Sequence, residues 1–210
     1  MFINQKFMGS AERKEREKHE MREMILAAAK KLFIKEGFEH VTIRRIAEEI
    51  EYSPATVYLY FADKDTILCA LQELGFRDLY KRQQVLSAIQ NPAERLRACG
   101  KIYMDFAMEN QEWYDLMFIM RAPMKAFDTP ADWNLGKDTY DVLRSIIIEC
   151  IDQGYLKAKD PQIACFAMWS MMHGVVSIFI RDRAPMIPKE HREHVINSIL
   201  DFTMTEFLEK

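Results

Sequence analysis

At 210 residues, with 49% hydrophobic and 29% charged residues, the chain can bury a sizeable core and is too apolar to be an unfolded one. Seven Gly and seven Pro are too few for the many turns of an all-β chain, so long helices are expected. A formal net charge of −3 excludes nucleic-acid binding through bulk positive charge, and any such binding has to come from charge placed on one face.

The first dozen residues lack periodicity and read as an arm. From Glu12 a charged stretch, Glu12-Arg13-Lys14-Glu15-Arg16-Glu17-Lys18, leads into an amphipathic helix. Its residues Met21, Met24, Ile25, Ala28, Leu32 and Phe33 recur at helical spacing. Gly37 supplies a left-handed stop, and Phe38 and Val41 are expected to fold back beneath the helix. Thr42 is a good N-cap for a short helix with the apolar stripe Ile43, Ile46, Ala47 and Ile50. Ser53 caps the next helix, with Pro54 at its first position, where a missing N–H costs nothing. Val57, Tyr58 and Phe61 are its expected inward side chains. Asp63 starts a fourth helix, whose Ile67, Leu68, Leu71 and Leu74 continue toward Leu86.

Beyond Asn91-Pro92 the pattern predicts helices over 92–109, 111–121, 131–153, 161–182 and 189–208. Gly154 ends the third of these, Asp160-Pro161 opens the fourth, and Arg121–Thr129 reads as a loop. No strand pattern competes, so the fold class is all-α. Cys69, Cys99, Cys150 and Cys165 are far apart and form no Cys-x-x-Cys pair. Met1 to Gln5 resemble no secretory segment, and no apolar run approaches about 18 residues. These features predict a cytoplasmic protein with reduced thiols and no membrane partner.

The segment Thr42–Phe61 has the layout of a helix-turn-helix: two short helices share an apolar face across a tight turn, braced by a longer helix before them. Such a unit can set its second helix in the major groove, with the N-terminal residues at the base edges. The run Thr42-Ile43-Arg44-Arg45-Ile46-Ala47-Glu48-Glu49-Ile50, then Ser53-Pro54-Ala55-Thr56-Val57-Tyr58-Leu59-Tyr60-Phe61 and Asp63-Lys64, resembles the tetracycline-repressor (TetR) family. The likeness covers roughly the first 70 residues and is specific, because many fixed offsets agree at once.

That resemblance implies a homeodomain-like helix-turn-helix domain over 1–66 and a helical ligand-binding and dimerisation domain over 67–210. It implies a transcriptional regulator, a repressor in the family's common mode, that leaves palindromic double-stranded DNA when a small-molecule effector binds. Thr42 and Arg44 would reach phosphate or a base edge. Ser53, Pro54, Ala55 and Thr56 would face the bases, with Ala55 and Thr56 able to touch a thymine methyl. Tyr58 and Tyr60 would donate hydroxyls to phosphate, and Lys64 would add its ammonium at a helix N-terminus. Where the family usually has Gly in the turn, this chain has Glu51, which either alters the turn or bears its strain.

The C-terminal helices are rich in Met and aromatic residues, which either fill the core or line a cavity for apolar ligands. Phe106, Trp113, Met117 and Met120 are the candidate ligand contacts before the loop, and Trp169, Met172 and His173 after it. Trp169-Ser170-Met171-Met172-His173-Gly174 resembles a Trp-x-x-x-His-Gly signature of one subgroup of the family. In it Trp169 and His173 share a helix face, and Gly174 would allow close helix approach. His173 reads as a ligand contact or as a satisfied core histidine. The last two predicted helices, 161–182 and 189–208, are expected to form a homodimer interface through Ile178, Phe179, Val195, Ile199, Phe202 and Phe207.

No Gly-rich phosphate loop, nucleophile motif or His-Glu-x-x-His is present, so no enzyme is expected. His191-x-x-His194 has metal-ligand spacing but sits among charged residues and reads as a hydrated first turn. Neither a metal nor another cofactor is expected.

Overall fold

The computed structural model of the protein describes residues 9–120 and 134–208, with no strand among them. Most of the expected arm, the loop over 121–129 and the first residues of the helix predicted over 131–153 lie outside the described residues.

The described residues divide into two compact units, one running to Gln72 and including Met120, the other made of 73–119 and 134–208. The first unit opens with α1 (Ser10–Glu36). It starts before Glu12 because that residue's carboxylate turns back to accept from the Gly9 N–H at 3.0 Å. Arg13–Glu17 and Arg16–Glu20 pair one helical turn apart along the charged stretch. Ile25, Ala29, Leu32 and Phe33 form the buried stripe. At Gly37 φ is +83°, and the chain folds back so that Phe38 meets Phe33 edge-on at 5.0 Å and Val41 is fully buried. Then come α2 (Ile43–Glu49), α3 (Pro54–Tyr58) and α4 (Lys64–Gln83). The first half of α4 belongs to this unit and its second half to the next.

In the second unit, α5 (Pro92–Glu109) has the predicted bounds, and the Asn91 side chain accepts from the N–H groups of Ala93 and Glu94. The helix predicted over 111–121 is instead a short α6 (Gln111–Tyr114) running into a π-helical turn at Asp115–Ile119. α7 (Asn134–Asp152) stops at Gly154, where φ is +72° and the N–H groups of Tyr155 and Gly154 return to Cys150 and Ile151. α8 (Pro161–Ile180) is capped by Asp160 and ends before the predicted Asp182. Asp182 adopts φ +51° and closes the same kind of stop, with Arg183 N–H on the Ile178 carbonyl at 2.9 Å. A single 3-10 turn precedes α9 (Arg192–Phe207).

α8 corrects the expectation that no apolar run approaches membrane-spanning length. Its 20 residues include no Asp, Glu, Lys or Arg, so it is long and apolar enough to cross a bilayer by length and composition alone. Gln162, Ser170 and His173 break the run in the sequence and hide it. Cys165, Met168, Met172, Val176 and Phe179 point into the core, while Ile163, Phe166 and Ile178 are exposed. Phe179, expected at a dimer face, is therefore a core residue. A Cβ built on Gly174 meets no atom within 4 Å, so no described helix of the same chain approaches it closely. Among the described residues no cysteine forms a disulfide, and burial pushes the Cys99 thiol up to about 12 and the Cys150 thiol up to about 11.

Candidate functional site

In the first unit two caps fix the helix starts. Thr42 Oγ1 accepts from Arg45 N–H at 3.1 Å, and Ser53 Oγ accepts from Thr56 N–H at 3.2 Å. Ser53 and Thr56 also join their hydroxyls at 3.0 Å, which turns Thr56 partly inward and ties it to its own cap. Between the helices Tyr52 N–H returns to the Ala47 carbonyl at 2.9 Å and Glu51 N–H to Glu48 at 3.2 Å. This is a Schellman stop whose left-handed residue is Glu51, with φ +60°. The turn keeps a backbone that suits glycine, and Glu51 bears the strain.

Val57 and Phe61 are buried, as expected. Tyr58 is not an inward side chain: it is 56% exposed, with Leu59 beside it at 80%. Five residues of helix make barely more than one turn, so only Val57 can face the core while its neighbours face out. Ser53, Pro54 and Ala55 are exposed, Tyr60 is half-buried, and Thr42 and Arg44 are exposed at the start of α2. Arg44 is held by Glu48 one turn on, at 3.1 Å. An exposed pair of this kind is weak and exchanges readily for a phosphate.

Lys64 is engaged. Its Nζ donates to the Phe38 carbonyl at 3.0 Å and the Glu39 carbonyl at 3.4 Å, and it lies 4.4 Å over the Phe38 ring. An ammonium has three N–H bonds, so one is left. Arg45 joins Glu36 of α1 and Glu49, while Lys31 takes the other Glu49 oxygen at 2.6 Å. Lys31 foremost, with Arg45, holds the Glu49 carboxyl below its ordinary range. This network clamps α2 to α1. The spacing of Arg45 and Glu49 was its only sign in the sequence.

In the second unit a cavity of about 310 Å³ lies among α4, α5, α7 and α8. Phe76, Leu79 and Gln83 supply the α4 side; Cys99, Gly100 and Tyr103 the α5 side; Thr139, Tyr140 and Leu143 the α7 side. Phe166, Trp169 and Met172 come from α8, with Phe118 of the π turn and Met204 of α9 completing the wall. Of the expected contacts, Trp169 and Met172 are in this wall. The others are elsewhere. Phe106 is fully buried in the core, with the Arg82 guanidinium 5.3 Å over its ring. Met117 and Trp113 pack on Gly75 of α4, where a Cβ would lie 2.4 Å from Met117 Sδ and 3.4 Å from the Trp113 ring. Met120 groups with the first unit.

His173 stands one layer behind the wall. Tyr103 Oη is 2.9 Å from its Nδ1, Tyr114 Oη is 3.1 Å from the same atom, and Tyr114 donates to the His173 carbonyl at 3.2 Å. Burial, then the charge of Arg181, holds the imidazole below its ordinary range, so it is neutral near pH 7. Trp169 and His173 do share a face, with ring centres 5.8 Å apart. Gln83 is a wall residue that the sequence reading missed. It follows Lys81 and Arg82, a context that reads as a solvated helix end, yet it is buried.

Residues 25–71 match the family description "Bacterial regulatory proteins, tetR family", and residues 96–202 match "Tetracyclin repressor-like, C-terminal domain". The chain is similar to the HTH-type transcriptional regulator HbdR of Aromatoleum sp. (strain CIB), with 38% identity over 156 residues, 73% of this chain and 68% of that protein. It is also similar to the HTH-type transcriptional regulator TcmR of Streptomyces glaucescens, 33% identical over 54 residues, 26% of this chain and 24% of that one. The fold resembles the TetR family transcriptional regulator PfmR from Thermus thermophilus, with TM-score 0.66 and 24% identity over 89% of this chain and 99% of that one. A protein of unknown function from Rhodococcus sp. RHA1 has TM-score 0.72 and 21% identity over 99% and 100% of the two chains.

Proposed function

The chain belongs to the tetR family of bacterial regulatory proteins and is a DNA-binding transcription regulator, and from that premise we propose that it is a homodimeric repressor released from a palindromic operator by a small, largely apolar ligand. Residues 1–66 hold the DNA, and residues 67–210 sense the ligand and dimerise. The regulator acts in the cytoplasm and performs no catalysis.

The observation that carries this reading is the capped, outward first turn of α3. Ser53, Pro54 and Ala55 are exposed on a rigid stop, with Val57 anchoring the helix from behind. Ala55 and Thr56 read base edges, and Thr42, Arg44, Tyr58, Tyr60 and the remaining N–H of Lys64 hold phosphates. Dimerisation through the spans 161–182 and 189–208 is supported by apolar side chains that stand largely exposed on the single chain. Ile163, Phe166 and Ile178 of α8 and Phe202 of α9 are between 47% and 68% exposed. Two such helices from each copy make a four-helix bundle, and a twofold axis matches a palindrome. The Phe207 side chain lies outside the described residues.

The cavity in the second unit supports an apolar effector, since among the described residues no Lys, Arg, Asp or Glu stands in its wall. Ligand binding has only to favour a state with the wrong spacing of the two recognition helices, and a coupling of about 1–3 kcal/mol changes affinity about 5- to 150-fold. The test is recovery of bound fragments from genomic DNA by the purified full chain. The reading expects a single palindromic site bound with steep salt dependence, and fragments without common sequence would defeat it.

A further inference from the structure

We propose that the effector is an uncharged aromatic molecule carrying a hydroxyl group, which donates its hydrogen to Oε1 of Gln83. This rests on reading the cavity as the effector site, and adds the chemistry that selects the ligand. Among the described residues the wall holds no charged side chain, so an ion entering it would lose its hydration without a counter-charge. Rings from Phe76, Tyr103, Phe118, Tyr140, Phe166 and Trp169 stand around the space and favour a flat aromatic guest. At about 310 Å³ the cavity is at the small end of ligand sites, which suits one or two fused rings.

One polar atom of a wall residue is left over. Gln83 is only 5% exposed, and its Nε2 donates to the Thr139 carbonyl at 3.4 Å and to Cys99 Sγ at 3.9 Å. Its Oε1 is buried with no partner among the described residues. Turning the amide over would set Oε1 against the Thr139 carbonyl, oxygen to oxygen, so the carbonyl end is fixed as the free one. A buried acceptor without a donor is unfavourable until a donor arrives. The tyrosine hydroxyls of the wall are committed: Tyr103 lies 2.9 Å from His173 Nδ1, and Tyr140 accepts from the Gln162 side-chain N–H at 2.9 Å while its own hydrogen goes to the Cys165 sulfur. The cavity therefore lacks a donor rather than an acceptor. A phenolic hydroxyl fills that role, and an ether or a ketone does not.

Calorimetric titration of the full chain with 2-naphthol and with 2-methoxynaphthalene, which differ in the donated hydrogen, tests this. The wild type should bind the naphthol about 10-fold more tightly. In Gln83→Met the two affinities should come within about twofold, with the methyl ether bound about as well as before. Equal affinities in the wild type, or a preference that survives in Gln83→Met, would remove Gln83 from recognition while leaving the cavity as a binding site. Binding of neither compound would overturn the reading of the cavity itself, and this inference with it. The wild-type pair decides the matter even where the variant does not fold.

Discussion

Glu51 occupies a left-handed backbone position, φ +60°, in the turn that aims the recognition helix. For a residue with a Cβ that conformation costs about 1–2 kcal/mol, and glycine gives part of this back through a freer unfolded chain. Glu51→Gly is therefore expected to stabilise the protein by about 0.5–1 kcal/mol, read as a higher urea midpoint with unchanged slope. Asp63 makes a second local prediction. Its carboxylate accepts from the Thr66 N–H and hydroxyl, which hold its pKa below the ordinary 3.8. A carboxyl lowered by folding stabilises fully near neutrality, and that contribution is lost as pH falls through the folded value. Asp63→Asn keeps a good cap but should flatten the loss of stability between about pH 5 and pH 2. The caps at Thr42, Ser53, Asp63 and Asp160 were legible in the sequence because each precedes a helix and needs only local geometry. Gln83 was not legible: its burial comes from α5 and α7, far away along the chain.

At the scale of elements, periodicity with caps and stops located α1, α5, α8 and α9 to within a few residues. It failed where a helix answers to more than one surface. The span over 111–121 breaks into a π turn that brings Phe118 to the cavity. Gly75 shows what such packing tolerates. An alanine there gains about 1 kcal/mol of helix propensity, but its methyl would stand 2.4 Å from Met117 Sδ and 2.9 Å from Met117 Cγ. Overpacking of this kind costs about 1–3 kcal/mol, so Gly75→Ala is expected to lower the thermal midpoint despite the better helix former. At the start of α4, Lys64→Ala is expected to weaken binding to every sequence alike and to reduce the slope of log affinity against log salt by about 0.9. An unchanged slope would leave Lys64 only its hold on the carbonyls of Phe38 and Glu39.

For the whole molecule, the proposed twofold dimer would join the exposed apolar faces of α8 and α9 and sit on a palindromic operator. Ile178→Glu together with Phe202→Glu should give monomers by sedimentation while leaving helical content intact. The monomers should lose operator affinity by more than about 100-fold, because one half-site then has to hold alone. The helix-turn-helix was legible because its caps, turn and anchors lie within about twenty residues. The cavity wall was legible only at Trp169 and Met172, because it is gathered from α4, α5, α7, α8 and α9. The most direct test is selection of bound sequences from a random DNA pool by the wild type and by Ala55→Asn. Two half-sites one helical turn apart are expected for the wild type, with Ala55→Asn changing the preferred base at one symmetry-related pair of positions. Weakening by Ala55→Asn that is equal across all sequences, with no base preference moved, would contradict the role given to α3.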